Sequence, residues 1–159
     1  MHKDLKKIKP TMRMVSRNKV KDTPGIIKGQ TVRPLCGAKH VPSERIRVGL
    51  AKFKPNLHEH LHWHSIEVFY YVLKVSATVN DLAGKAYKVG PGDSIYAPPG
   101  IAGSHEWHIG KEGLELLSIR ATNDGHRRMQ FTVNRNTGES VIDMHELGRM
   151  DAISYESHY

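Results

Sequence analysis

The stretch HEHLHWHSIEVFYYVL, residues 58–73, begins with a histidine at every second position. Because alternate residues of a β-strand project to the same side, this row predicts a strand that presents imidazoles on one face. The apolar run VFYYVL that follows is typical of a buried strand. The alternative is a solvated, histidine-rich loop. The stretch alone does not distinguish a strand from a loop, and sequence elsewhere in the chain is needed. The histidines of the row are His58, His60, His62 and His64.

Short strands separated by turn signals are predicted for most of the chain. Turn sequences such as Pro98-Pro99-Gly100 recur about every ten residues, which is the spacing of an all-β sandwich or barrel. The many short strands favour a double-stranded β-helix, that is, a jelly roll or small barrel. The strands are predicted at 46–53, in the histidine row, and at 68–73, 75–79, 86–89, 94–97, 114–119, 129–133 and 140–142.

The 159 residues suffice for one compact domain. We predict a basic N-terminal arm over residues 1–34, a β-barrel over 35–142, and a C-terminal helix and tail over 143–159. The helix is predicted from DMHELGRM (143–150), in which Asp143 can cap the first turn and Glu146 follows three residues later.

The net charge of +8 comes from the N-terminal arm. Residues 1–34 contain ten Lys or Arg against two Asp, whereas the rest of the chain is balanced. Such an arm can bind a polyanion, but a solvated extension is more common and no nucleic-acid-binding motif accompanies it, so nucleic acid is an unlikely partner. No apolar run approaches the roughly 20 residues of a membrane span, and the N-terminus lacks the apolar segment of a signal peptide. We therefore expect a cytoplasmic protein.

Metal binding is the chemistry that the histidine row predicts. Cys36 is the only cysteine, so a metal must be held by histidine and carboxylate. Residues i and i+2 of a strand lie roughly 6.5 Å apart, so two neighbouring imidazoles of the row can converge on one ion but four cannot. Glu67 and His105 are the candidates for completing a set suited to Fe, Mn, Ni, Co or Zn.

Two motifs in this order resemble those of the cupin superfamily. The first cupin motif is G-x5-H-x-H-x3,4-E-x6-G, and here Asn56 replaces its opening glycine, with five residues between it and the pair His62 and His64. The second is G-x5-P-x-G-x2-H-x3-N, and Gly92 and the run Pro98-Pro99-Gly100 match its first part. The resemblance covers roughly residues 46–120. It implies a cupin barrel with one divalent metal ion inside, held by His62, His64 and His105.

The departures from the motifs leave several choices open. Glu67 comes earlier than the motif places its carboxylate, so it would need a β-bulge to reach the ion, and His60 competes with it as the fourth ligand. Read instead from His60 and His62, the spacing does end at Glu67, and the chelating pair is then undecided. In the second motif the histidine position holds Gly103, two residues before His105.

The resemblance implies an enzyme that acts on a small oxygen-rich organic molecule by dioxygenase or lyase chemistry. The alternative is a non-catalytic sensor or binding cupin with a degenerate metal site, and a third hypothesis assigns the function to nucleic-acid binding by the arm. Cupins commonly form homodimers, and residues 25–42 are a candidate for an exchanged strand. The candidate substrate-binding residues are Tyr71, Tyr96, Trp107 and Arg120.

Overall fold

The computed structural model describes residues 7–122 and 129–142. Over these residues the chain forms twelve strands and no α-helix, with short 3-10 turns such as Arg17–Lys19 and Ile101–Gly103. The predicted all-β class is therefore confirmed. The helix predicted at 143–150 lies outside the described residues.

The strands form two six-stranded sheets in which all pairs are antiparallel. Along most of the chain, successive strands alternate between the sheets, which gives the jelly-roll arrangement. The first sheet contains, in spatial order, β1 (Thr23–Pro24), β2 (Gln30–Cys36), β3 (Arg47–Phe53), β10 (Leu114–Arg120), β5 (Val68–Lys74) and β8 (Ser94–Ala97). The second contains β12 (Ser140–Ile142), β11 (Gln130–Val133), β4 (His58–His64), β9 (His105–Ile109), β6 (Ala77–Asp81) and β7 (Ala86–Val89).

The core lies between the two sheets and is filled by alternate residues of their strands. In β5, Val68, Tyr70 and Val72 are buried whereas Phe69 and Tyr71 are exposed, as the period of two requires. Each fully buried Val or Leu of this kind stabilises the fold by about 1.5–3 kcal/mol relative to an exposed one. Inward residues of β4, β5 and β9 form the candidate site.

Two parts of the sheets differ from what the sequence predicts. The stretch HEWHI forms β9, where a loop was expected, because Trp107 and Ile109 turn into the core while polar residues alternate with them. In addition, β1 and β2 lie in or overlap the stretch that net charge assigns to the arm, and β2 pairs with β3. Strand pairing depends on a neighbouring edge and not on net charge, so composition alone does not reveal it.

A β-bulge in β4 divides the histidine row. Against β9, Glu59 pairs with Trp107 and His62 with His105, so β4 advances three residues where β9 advances two. The extra residue reverses the alternation: His58 and His60 are exposed, whereas His62 and His64 are buried. The row is thus an outward pair followed by an inward pair. His62 and His64 are the pair inside the barrel.

Two residues that stand at glycine positions of the first motif have positive φ: Asn56 at its opening glycine and Val75 at its closing glycine, eleven residues after His64. Asn56 has a φ of 59° and Val75 a φ of 66°. Asn tolerates this left-handed conformation, but a β-branched residue there is strained, by roughly 1–2 kcal/mol. We therefore expect Val75→Gly to raise the free energy of unfolding by about 1 kcal/mol, measured by urea denaturation.

The control for this prediction is Asn56→Gly, which relieves little strain and should change the free energy of unfolding by a few tenths of a kcal/mol at most. Equal effects of the two substitutions, or a loss of stability in Val75→Gly, would contradict the assignment of strain to Val75.

Candidate metal centre

Three buried histidines converge between the sheets. His62 and His105 are directly opposite each other on β4 and β9, and their ring centroids lie 4.3 Å apart. The His64 ring lies 5.0 Å from that of His62 and 5.4 Å from that of His105. One ring nitrogen from each histidine lies within 4.8 Å of those of the other two. This spacing allows a single ion to contact all three.

Backbone carbonyls orient two of these imidazoles. The Nδ1 of His62 donates a hydrogen bond to the carbonyl oxygen of His60 at 2.7 Å, and the Nδ1 of His105 donates to that of Gly103 at 2.9 Å. Since a carbonyl oxygen only accepts, the Nδ1 atoms carry the protons and the lone pairs reside on Nε2. Such contacts are what commonly hold metal-binding histidines in one tautomer and one orientation.

The position of His105, two residues later than in the motif, follows from the turn before β9. The 3-10 turn Ile101–Gly103 lengthens the loop, and the backbone N–H of Gly100 donates to the His64 carbonyl oxygen at 2.9 Å. Gly103 packs directly against Pro98, so a Cβ there would overlap the Pro98 carbonyl oxygen. A histidine therefore has no room at 103, and His105 provides the imidazole instead.

Tyr70 belongs to this centre, although the sequence indicates only that it lies in the apolar run VFYYVL. Its hydroxyl lies 3.0 Å from His105 Nε2 and 3.2 Å from His64 Nε2. Because His105 Nε2 carries a lone pair, the hydroxyl donates to it and accepts from His64. Burial raises the pKa of Tyr70 well above its ordinary value, so the hydroxyl stays protonated. The alternation of the run VFYYVL could have indicated that the Tyr70 side chain faces inward.

Glu59 is the second member that sequence reasoning missed. Its side chain is only 8% exposed, and its Oε1 lies 3.9 Å from His62 Nε2. On a regular strand, residues three apart face opposite sides, so only the bulge brings the two together. No pattern in the sequence indicated where that bulge would be.

A cavity of about 50 Å³ lies beside Glu59 and Tyr70. This volume accommodates a few water molecules. Its other walls come mainly from the inward residues of β2, β3 and β10, and they include two guanidinium groups, those of Arg47 and Arg120. The remaining lining residues are Ile26, Gln30, Val32, Gly49, Ala51, Phe53, Leu116 and Ser118.

Only some of the site residues predicted from sequence lie at this centre. Arg120 lines the cavity, and Trp107 lies beneath Tyr70 in the core with 1% of its surface exposed. Glu67 is exposed and accepts a hydrogen bond from Tyr96 at 2.8 Å, on the outer side of the first sheet with Tyr71. The phase of β5 turns residues 67, 69 and 71 outward.

His60 is exposed as well, and its ring contacts that of His58 and not the buried histidines. The structure therefore brings His62, His64 and His105 together without His60 or Glu67. The carboxylate nearest to them among the described residues is that of Glu59, which stands where neither motif alignment placed one.

The chemistry of this donor set fits a transition metal ion. Burial lowers the pKa of His105 to about 3 and that of His64 well below its ordinary value, so both imidazoles are neutral, the form that binds metal. Among the described residues, the buried His64 Nδ1 has no hydrogen-bond partner. Neutral imidazoles suit Fe, Co, Ni and Zn, whereas no thiolate is present to favour softer ions.

The lowered pKa values predict how the metal-free protein responds to acid. The unfolded chain binds protons at these histidines near pH 6.5, whereas folded His105 does so only near pH 3. Stability should therefore fall as the pH drops from 6.5 towards 3, with a slope of up to about 1.4 kcal/mol per pH unit for each histidine. Urea denaturation at a series of pH values measures this slope.

His105→Asn should make that slope shallower, because it removes one group that binds a proton only on unfolding. His60→Asn, an exposed neighbour on β4, is the matched control and should leave the slope unchanged. An unchanged slope in His105→Asn would contradict the prediction.

Comparison with known proteins places the chain among proteins of one architecture. A family model described as a cupin domain matches residues 49–120. The chain is similar to the polyketide cyclase RemF from Streptomyces resistomycificus, with 26% identity and a TM-score of 0.60 over 69% of this chain and 79% of that one. It is also similar to an RmlC-like cupin from Shewanella frigidimarina, with 17% identity and a TM-score of 0.58 over 70% and 92% of the two chains.

A third similar structure is a variant of oxalate decarboxylase from Bacillus subtilis, with 25% identity and a TM-score of 0.57. The match covers 73% of this chain but only 31% of that one, so this chain spans about a third of the oxalate decarboxylase. None of the curated protein sequences matches the chain. Across residues 7–122 and 129–142, no helix has the length and apolarity that a membrane span requires.

Proposed function

Since the chain belongs to the cupin superfamily, we propose that it is a metal-dependent enzyme that acts on a small oxygen-rich organic molecule by dioxygenase or lyase chemistry. His62, His64 and His105 would hold one divalent metal ion. The observation that carries the proposal is the convergence of these histidines next to Glu59 and Tyr70, which line a cavity together with two arginines.

The arginines indicate the charge of the substrate. Arg47 and Arg120 pair across β3 and β10 and both line the cavity, where a carboxylate or enolate oxygen can accept hydrogen bonds from a guanidinium. Arg120 is close enough to His64 and His105 for its charge to lower their pKa values, although less than burial does. A substrate anion bound to Arg120 would therefore lie next to the histidines.

Each polar group of the centre has a task in this scheme. A bound ion would supply Lewis-acid polarisation of a substrate oxygen. Glu59 is the group suited to take or give a proton at its Oε1, since it is the buried carboxylate of the cavity. The Tyr70 hydroxyl contacts the Nε2 atoms of His64 and His105, and an ion bound at His105 Nε2 would replace the second of these contacts.

The comparisons support this substrate class. Oxalate decarboxylase is named for the smallest dicarboxylate, and RemF for the cyclisation of a polyketide. Both names denote oxygen-rich molecules, and the cavity of about 50 Å³ favours the small members of the class. The proposal does not extend to either of these particular reactions.

Reconstitution and a substrate panel test the proposal. The metal-free protein is loaded separately with Fe²⁺, Mn²⁺, Co²⁺, Ni²⁺ or Zn²⁺ and incubated with 2-oxo acids, hydroxy acids, dicarboxylates and 1,3-diketones. Oxygen uptake distinguishes dioxygenase chemistry, and product analysis by NMR detects bond cleavage without oxygen. Binding of panel compounds without turnover would favour the sensor alternative, and failure to bind metal would overturn the proposal.

Two arginines of the basic arm form ion pairs within the protein, which makes them less accessible to nucleic acid. The Arg17 guanidinium forms a salt bridge of 3.0 Å with Glu115 on β10, and Arg33 pairs with Asp22 at 2.6 Å. These contacts attach the arm to the first sheet. We propose that nucleic acid is not a partner, and salt-sensitive retention on a DNA column would contradict this. A homodimer and a cytoplasmic location also stay predictions, and light scattering coupled to gel filtration tests the first.

A further inference from the structure

A second cluster of possible metal ligands lies on the outer face of the second sheet. The bulge in β4 leaves His58 outside the barrel, and the alternation of β9 places Glu106 and His108 on that same outer face. His58 and His108 are directly opposite each other on neighbouring strands. This cluster is separate from the buried histidines, and neither cupin motif accounts for it.

The three side chains are close enough to share one ion. His58 Nε2 donates a hydrogen bond to Glu106 Oε1 at 2.7 Å, and His108 Nε2 lies 3.7 Å from Glu106 Oε2. The two imidazole rings stack with centroids 4.6 Å apart and an interplanar angle of 12°. One ligand atom from each residue lies within 4.8 Å of the other two.

Arg135 holds the carboxylate of this cluster in place. Its Nη2 donates to Glu106 Oε2 at 3.0 Å, and the same guanidinium donates to the carbonyl oxygens of Leu82 and Asp81 at 3.1 and 3.2 Å. These contacts fix Glu106 Oε2 on the Arg135 guanidinium and leave Oε1 directed towards His58.

We propose that His58, Glu106 and His108 form a second, surface site for a divalent transition metal ion such as Zn²⁺. Two imidazoles and one carboxylate are a ligand set that Zn²⁺ accepts, with a fourth position for water or another small ligand. His58 and His108 are 41% and 44% exposed, so solvent reaches the site. The ion replaces the proton that His58 Nε2 now shares with Glu106.

The surroundings of His108 leave space for that additional ligand. His108 borders an open groove of about 530 Å³, together with Thr78 and Lys88. Asn80 Nδ2 donates to His108 Nε2 at 3.2 Å, so this nitrogen already presents its lone pair in the neutral ring. The Lys88 ammonium makes the groove more favourable for an anionic ligand than for a cationic one.

Zinc binding to the metal-free full-length chain tests the proposal by calorimetry and by equilibrium dialysis. The double variant His58→Asn, His108→Asn should bind one zinc ion fewer than the unsubstituted chain. The variant His64→Asn, His105→Asn removes the buried centre and should keep the surface ion, so failure of the two sites is distinguishable. His40→Asn, an exposed histidine elsewhere, is the control and should change nothing.

The double variant His58→Asn, His108→Asn should weaken the affinity of the surface site by about 100-fold or more, since even residues that only support metal ligands contribute about 10–100-fold. Circular dichroism spectra of all variants establish that they are folded. Unchanged zinc stoichiometry and affinity in that variant would overturn the proposal and leave the cluster as an ion-pair network. Loss of the surface ion in the His40→Asn control would also overturn it.

Discussion

His105→Asn should remove the metal ion from the buried centre: after reconstitution and dialysis, we expect the metal content to fall from about one equivalent to less than about 0.1. His105 is one of only three imidazoles that converge there among the described residues, and its Nε2 is the nitrogen left with a lone pair. Losing a ligand should weaken the affinity by well over the roughly 10–100-fold that supporting residues contribute. Elemental analysis measures the effect, in a protein that also carries His58→Asn and His108→Asn.

Two substitutions serve as controls for this result. Glu67→Gln and His60→Asn replace the residues that the cupin motifs offered as a fourth ligand, and both should keep the full metal content because their side chains are outside the barrel. Metal loss in Glu67→Gln equal to that in His105→Asn would contradict the arrangement described here.

Glu59→Gln should lower the turnover of the substrate identified by the panel by roughly 10²–10⁴-fold, the range that a general acid or base contributes. Glutamine has nearly the same shape and can still accept a hydrogen bond, but it cannot take a proton at neutral pH. We expect the metal content and the substrate KM to change little, so that the loss appears in kcat. Steady-state kinetics and elemental analysis measure both.

The control for Glu59 is again Glu67→Gln, which removes a carboxylate of the same type from the outer face and should keep full turnover. Loss of the metal in Glu59→Gln would instead identify Glu59 as a ligand of the ion. Unchanged kcat would exclude Glu59 from the chemistry altogether.

The bulge in β4 explains why sequence reasoning located the centre but not all of its members. Alternation placed His58, His60, His62 and His64 on one face, and the structure divides them into an outer and an inner pair. A bulge is decided by the register between two strands, and β9, the partner strand here, was itself expected to be a loop. Nothing in the sequence therefore indicated that Glu59 faces inward, and only the spacing of the motif suggested Glu67 as a metal ligand.

Tyr70 and Arg120 show that the sequence can predict which side chains face inward but not which of them meet. The buried phase of VFYYVL was predictable, but which inward side chain meets the histidines depends on how far the two sheets are offset. Arg120 is a candidate from the sequence because the cupin resemblance implies that its strand wraps around the metal, and the structure places it in the cavity wall. Tyr71 was selected next to Tyr70, and the period of two turns it to the opposite side.

The sequence by itself predicted most of the strands, the turns and the cupin resemblance, and through that resemblance it implied that His62, His64 and His105 come together. These features depend on local alternation, on turn-forming residues and on motif spacing, all of which can be read along one chain. Only the tertiary structure decided that Glu59 and Tyr70 join the histidines, that Glu67 and His60 do not, and that His58 meets Glu106 and His108 outside. Those choices depend on the register of one strand against another, where a single added residue reverses the direction of every side chain that follows.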